Sequence, residues 1–88
     1  MYKIRLKKSA IKEFALLPIN IRSIIEEKLI LLSIWKENEL DIKLLTPKNK
    51  KRYRLRVWKY RIIYKKENDI LVIYVLKIWI RWDIYKWL

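Results

Sequence analysis

Polar and apolar positions alternate through Tyr2-Lys3-Ile4-Arg5-Leu6, which puts Tyr2, Ile4 and Leu6 on one side of a short, half-buried strand. The period then lengthens. Ser9 stands before Ile11-Lys12-Glu13-Phe14-Ala15-Leu16-Leu17, a pattern that reads as a helix with Ser9 as its N-cap, ending before Pro18. From about Ile19 to about Glu37 a helical period places Ile21, Ile24, Ile25, Leu29, Leu31, Leu32 and Trp35 in one broad apolar stripe. Ile30 and Ile34 fall on the opposite side, one turn apart. Pro18 keeps the link short, so the two helices form an antiparallel hairpin. Residues 39–51, ELDIKLLTPKNKK, read as a connecting loop with Pro47 and Asn49 as turn residues.

Three segments rich in β-branched and aromatic residues follow: Tyr53–Val57, Tyr60–Lys65 and Ile70–Leu76. Trp58-Lys59 and Glu67-Asn68-Asp69 mark the hairpin turns between them. The first turn contains no residue that readily takes positive φ. The expected order is βααβββ, an α+β fold of one domain over residues 1–88, with an antiparallel sheet and the N-terminal helix hairpin packed on one face. A two-residue turn at Trp58-Lys59 pairs Val57 with Tyr60 and Arg56 with Arg61. Tyr53, Leu55, Val57, Tyr60, Ile62 and Tyr64 then share the helix-covered face. Arg54, Arg56 and Arg61 project onto the other, open face, together with Tyr74. Two arginines directly opposite each other destabilise a strand pair by a few tenths of a kcal/mol to about 1 kcal/mol.

Charge gives that arrangement a purpose. The chain carries 22 Lys and Arg against nine Asp and Glu, a net +13. Between Asp41 and Glu67 there are eleven basic residues and no acid. A basic block of this kind marks a polyanion partner. Planar guanidinium groups read phosphate through paired hydrogen bonds, and a neighbouring aromatic ring stacks on a base. The same residues also allow a plainer reading, a solvated basic sheet face, and a third, an acidic protein partner. Cysteine, histidine and glycine are absent. That excludes disulfides, thiolate and imidazole metal sites, histidine-activated nucleophiles and Gly-rich phosphate loops. No metal or cofactor is expected. The longest apolar run is seven residues, Ile70 to Leu76, well short of the roughly 20 that span a bilayer. A soluble, cytoplasmic protein with no membrane partner is expected.

The N-terminal YKIRLKKSAIKEF, the helix containing IRSIIEEKL, the core YRLRVWKYRIIY and the closing WIRWDIY resemble the RelE family of toxins, within the RelE/ParE superfamily. The resemblance covers nearly the whole chain. It implies a toxin paired with a RelB-type antitoxin. Such a toxin enters the ribosomal A site and cleaves messenger RNA without a metal, by attack of a ribose 2′-OH on the adjacent phosphate. Arg54 and Arg56 match the family's two basic residues on the first central strand. Arg61 matches its arginine in the next strand, Arg81 the arginine beyond the last long strand, and Tyr85 the tyrosine near the C-terminus. These five are the expected catalytic set, with Lys77 or Tyr85 as the proton acceptor.

Lys48, Lys50, Lys51, Arg52, Lys59, Tyr74 and Lys77 are the expected RNA-binding residues. Ile30 and Ile34 are expected to face the antitoxin, or alternatively to pack on the first helix. Trp58 stands where the family commonly has Gly. Trp79-Ile80-Arg81 stands where many members have Gly-His-Arg or Gly-Lys-Arg. Without that histidine or lysine, weak activity is among the outcomes the resemblance allows. The runner-up function is that of the ParE branch, a non-catalytic inhibitor of DNA gyrase. A bare RNA-binding module is a third reading.

Overall fold

The computed structural model describes residues 1–46 and 51–80. The opening alternation becomes strand β1 (Lys3–Leu6), followed by helices α1 (Lys8–Ala15) and α2 (Ile19–Ser33) and a 3-10 turn over Glu37–Glu39. Strands β2 (Asp41–Thr46), β3 (Arg52–Val57), β4 (Tyr60–Glu67) and β5 (Val72–Ile80) complete the described chain. They form one sheet in the order β1-β5-β4-β3-β2. The α+β class and the helix hairpin on one face are as the sequence predicts.

The structure adds to and corrects that reading in several places. Asp41–Thr46, read as loop, is a strand antiparallel to β3, with Ile42 opposite Leu55. It is an edge strand: Ile42 packs against the core while Leu44 is exposed, so its sequence lacks the apolar weight of the central strands. Strand β1 pairs with β5 in parallel, which makes the sheet mixed. Lys7, not Ser9, is the N-cap of α1, and no side chain caps the helix.

Helix α2 stops at Ser33 rather than near Glu37. Trp35 has φ 62°, the Trp35 N–H donates to the Leu32 carbonyl at 3.4 Å, and the Lys36 N–H donates to that of Leu31 at 3.0 Å. This is the bonding of a Schellman C-cap, with tryptophan where glycine is usual. In a chain without glycine the left-handed positions fall to Trp35, Trp58 and Leu71, at a cost of about 1–2 kcal/mol each. The Trp35 ring contacts Tyr2 edge-on at 5.8 Å, which holds it out of the α2 stripe.

The core lies between the helices and one face of the sheet. Ile21, Ile25, Leu29 and Leu32 of α2 meet Leu55, Val57, Ile62, Tyr64, Ile73 and Val75. Tyr64 is fully buried and stacks on Tyr53 with ring centroids 5.3 Å apart. Its hydroxyl has no hydrogen-bond partner among the described groups. Burial, then the Glu37 carboxylate and Tyr53, push this phenol well above its ordinary value of 10.0.

A buried, unpaired hydroxyl costs about 1–3 kcal/mol, so Tyr64→Phe is expected to raise stability by about 1 kcal/mol. The folded chain holds the Tyr64 proton more tightly than the unfolded chain does. That contribution is therefore complete below the ordinary tyrosine value and is lost as pH rises above it. Denaturant melts at neutral pH and above pH 10 check both points. The alkaline loss shrinks in Tyr64→Phe if the assignment is right.

Candidate nucleic-acid interface

The register lays the second sheet face out as rows. Val57 pairs with Tyr60 and Arg56 with Arg61, as the two-residue turn requires. Extending through the neighbouring strands, one row reads Asp41, Arg56, Arg61, Trp79, and the next Lys43, Arg54, Ile63, Lys77. One step further along the same strands, Lys65 pairs with Tyr74 and Arg5 with Tyr74 from the other side. Arg52, two residues before Arg54, falls at the same level. The face therefore gathers cations from all five strands.

Strict alternation would send Tyr74 and Lys77 to opposite faces. The pairing shifts between Ile63 and Tyr64: Ile63 faces Lys77, but Tyr64 faces Val75. Leu76 is the extra residue of a bulge, and it returns Lys77 to the face that holds Tyr74.

Arg61 is not on an open surface. It is 8% exposed, and Ile63 beside it is fully buried. Its Nη1 donates to the Trp58 carbonyl at 2.9 Å and to that of Tyr60 at 3.2 Å. Arg56 Nε donates to the same Trp58 carbonyl at 3.4 Å. Trp58, at φ 56°, takes the left-handed conformation in the turn. The two opposed guanidiniums thus share one carbonyl dipole, and their repulsion is offset where the sequence leaves it unbalanced.

Asp41 adds a full countercharge. Its carboxylate lies 2.8 Å from Arg54 Nη2 and 3.8 Å from Arg56 Nη1. A carboxylate held between two guanidiniums shows that the pair can grip an oxyanion. Sequence reasoning missed Asp41 because it lay in the stretch read as loop.

Lys77 Nζ is 2.6 Å from Glu13, and that carboxylate also accepts the Ile78 N–H at 3.0 Å. Glu13 thereby closes the edge of β5 beyond the point where β1 ends. Lys77 also lies 5.0 Å from the centroid of the partly buried Trp79 ring. So engaged, the Lys77 side chain is held between Glu13 and the Trp79 ring.

Lys65 Nζ is 5.7 Å from the Tyr74 ring centroid. Lys59 is exposed in the turn, 5.8 Å over the Tyr60 ring, and Lys51 is exposed just before β3. Lys48, Lys50, Arg81 and Tyr85 lie outside the described residues. Ile30 and Ile34 sit apart from this face, 56% and 36% exposed.

No protein-family profile and no curated protein sequence matches the chain. Solved structures do. The RelE–RelB complex from Pyrococcus horikoshii OT3 contains a chain 26% identical, with a TM-score of 0.74 over 92% of this chain and 96% of that one. The RelB–RelE complex from Methanococcus jannaschii gives 29% identity and a TM-score of 0.69 over 94% and 96%. The isolated E. coli RelE toxin has the same fold, with a TM-score of 0.75 over 98% and 93% at 19% identity. Its fold, and its match along nearly all its length to two archaeal RelE chains, support the resemblance to RelE toxins that its residues carry.

Proposed function

We propose that the chain is the toxin of a toxin–antitoxin pair and cleaves messenger RNA in the ribosomal A site. The observation that carries this reading is the convergence of Arg54, Arg56 and Arg61 on one sheet face, where Arg54 and Arg56 already hold the Asp41 carboxylate. In the reaction, the ribose 2′-oxygen loses its proton and attacks the adjacent phosphorus. The P–O5′ bond breaks and the leaving 5′-oxygen takes up a proton, leaving a 2′,3′-cyclic phosphate and a 5′-hydroxyl. Negative charge builds on the phosphorane-like transition state, where fixed guanidiniums stabilise it more than they do the ground state. Arg61 is held by two carbonyls, so it is already ordered before substrate arrives. By the resemblance, Arg81 adds a further guanidinium to this role, and Lys77 or Tyr85 takes the proton, Tyr85 alternatively stacking on a base. No metal is required by this chemistry.

Primer extension on messenger RNA from cells expressing the chain tests the proposal. Stops within coding regions, appearing only when translation is active, are the expected result. Their absence would shift the reading to a gyrase inhibitor of the ParE kind.

A RelB-type antitoxin is the second partner of this reading. Ile4, Leu6, Phe14, Leu29 and Ile30, with Glu26 among them, line a mainly apolar groove of about 330 Å³ between β1 and the helices. Ile30 lies along this groove and is more than half exposed. An acidic, amphipathic antitoxin segment would cover the groove and the basic face together. Ile30→Glu combined with Ile34→Lys is expected to weaken the complex about tenfold or more, the scale of an interface anchor, with an unchanged thermal melt. Loss of folding would support packing of these residues on α1 instead.

A further inference from the structure

Beyond the arginine row, the same face holds a separate concavity. It has a volume of about 350 Å³, and its lining includes Lys7, Arg52, Lys65, Tyr74 and Lys77. The four cations come from four places in the chain: the start of α1, β3, β4 and β5. No acid is part of the lining. Glu67 and Glu13, which pair with Lys65 at 3.2 Å and Lys77 at 2.6 Å, hold their lysines from outside it. The lysines are therefore oriented before any ligand arrives. Folding has placed them around a hollow rather than spreading them over a convex surface.

Position decides what the hollow would bind. Arg52 and Arg56 are four residues apart on one strand, and Lys65 and Arg61 four apart on the next. At about 3.3 Å per residue the concavity lies about 13 Å from the Arg56–Arg61 row. Arg54 sits midway, so guanidiniums recur along β3 in steps of about 6.6 Å. Successive phosphates of an extended single strand are spaced on that scale. The Tyr74 ring, beside Lys65 at 5.7 Å, supplies a stacking surface that sequence-tolerant single-strand binders use. An acidic peptide has no use for such a ring between evenly spaced forks.

We propose that Lys7, Arg52, Lys65 and Lys77 form a second phosphate subsite, which grips the RNA strand a short distance from the bond to be cut while Tyr74 stacks on a base. This inference rests on the RNA reading of the face given above. The subsite fixes the strand's path along β3 and β4. It orients the scissile phosphate by binding energy taken from a non-reacting part of the substrate.

Fluorescence titrations with 2′-O-methyl RNA, which lacks the attacking hydroxyl and cannot be cleaved, test it. Wild type is expected to bind a hexanucleotide about tenfold or more tightly than a dinucleotide, the scale of one charge-assisted contact. Lys7→Ala combined with Lys65→Ala should abolish that gain and leave dinucleotide binding unchanged. Both side chains are solvent-accessible, and an unchanged melt confirms the fold. Arg56→Ala should weaken both oligonucleotides equally. A length gain that survives in the double variant overturns the subsite alone, and all the more if poly-glutamate binding is lost there. Equal loss of both lengths in the double variant overturns it too, by showing only a general field. Wild type that binds neither oligonucleotide overturns the RNA reading itself, and the subsite with it.

Discussion

Arg61→Ala slows single-turnover cleavage on programmed ribosomes by about a hundredfold or more, the scale of losing one preorganised oxyanion donor. Arg81→Ala does the same. Ribosome binding changes far less in either variant, because the extra charge appears only during attack and many other cations remain. A wild-type product without a 2′,3′-cyclic end, or full activity in both variants, would remove the nuclease assignment.

The two effects of Arg61→Ala, on rate and on stability, need separating. By sequence alone the substitution relieves a like-charge pair with Arg56 and should be neutral or slightly stabilising. The structure reverses that sign. Arg61 is buried, and its Nη1 closes the Trp58-Lys59 turn by donating to two carbonyls. Without it, the Trp58 carbonyl keeps the longer bond from Arg56 Nε, at 3.4 Å. A loss of about 1–2 kcal/mol is expected, in the lower part of the range for hydrogen bonds to charged groups. For a domain of this size that lowers the melting temperature by roughly 5–15 °C. Rates measured well below the melt, with Arg61→Lys as a partner variant, keep the two apart. If cleavage falls only in step with the folded fraction, Arg61 is a structural residue and not a catalytic one.

Replacing Lys48, Lys50 and Lys51 together by alanine gives the second large effect, on binding. Each phosphate that a cation neutralises releases a counterion, so the logarithm of affinity falls with that of salt by about 0.7 per phosphate for single strands. With three fewer cations on the phosphates, the slope flattens by about 2. The described ends of this segment support its use: Thr46 pairs with Arg52 in the β2–β3 register. The segment therefore leaves and rejoins the sheet at the Arg52 end of the basic face. An unchanged slope would show that residues 47–51 lie away from RNA. Titrations of ribosomes or RNA across a salt series decide between the two.

Much of this was legible in local pattern. Alternation in Tyr53–Val57 and Tyr60–Tyr64 assigned six apolar side chains to one face, and all six are in or against the core. A two-residue turn set Arg56 against Arg61 without any knowledge of the rest of the fold. These features depend on the period of a strand and the length of a turn, which neighbouring residues impose on one another. The helix stripe was read nearly as well, but its end was not. No glycine marks the C-cap, and Trp35 holds that position because its ring finds Tyr2, a residue far away in sequence.

Long-range pairing decided the rest. Asp41–Thr46 is a strand because β3 offers it an edge, and only that pairing carries Asp41 to Arg54 and Arg56. The bulge at Leu76 exists in the β4–β5 ladder and has no mark of its own in Val75-Leu76-Lys77. Whether Lys77 is available or already engaged depends on α1 delivering Glu13 to the edge of β5. The sequence by itself determined that the chain is α+β, that one sheet face is apolar, and that arginines line the other. Which of those arginines is buried, which carry a countercharge, and where the lysines enclose a hollow were decided by the tertiary structure. Burial and ion pairing depend on groups brought together across the sheet, and no local period encodes them.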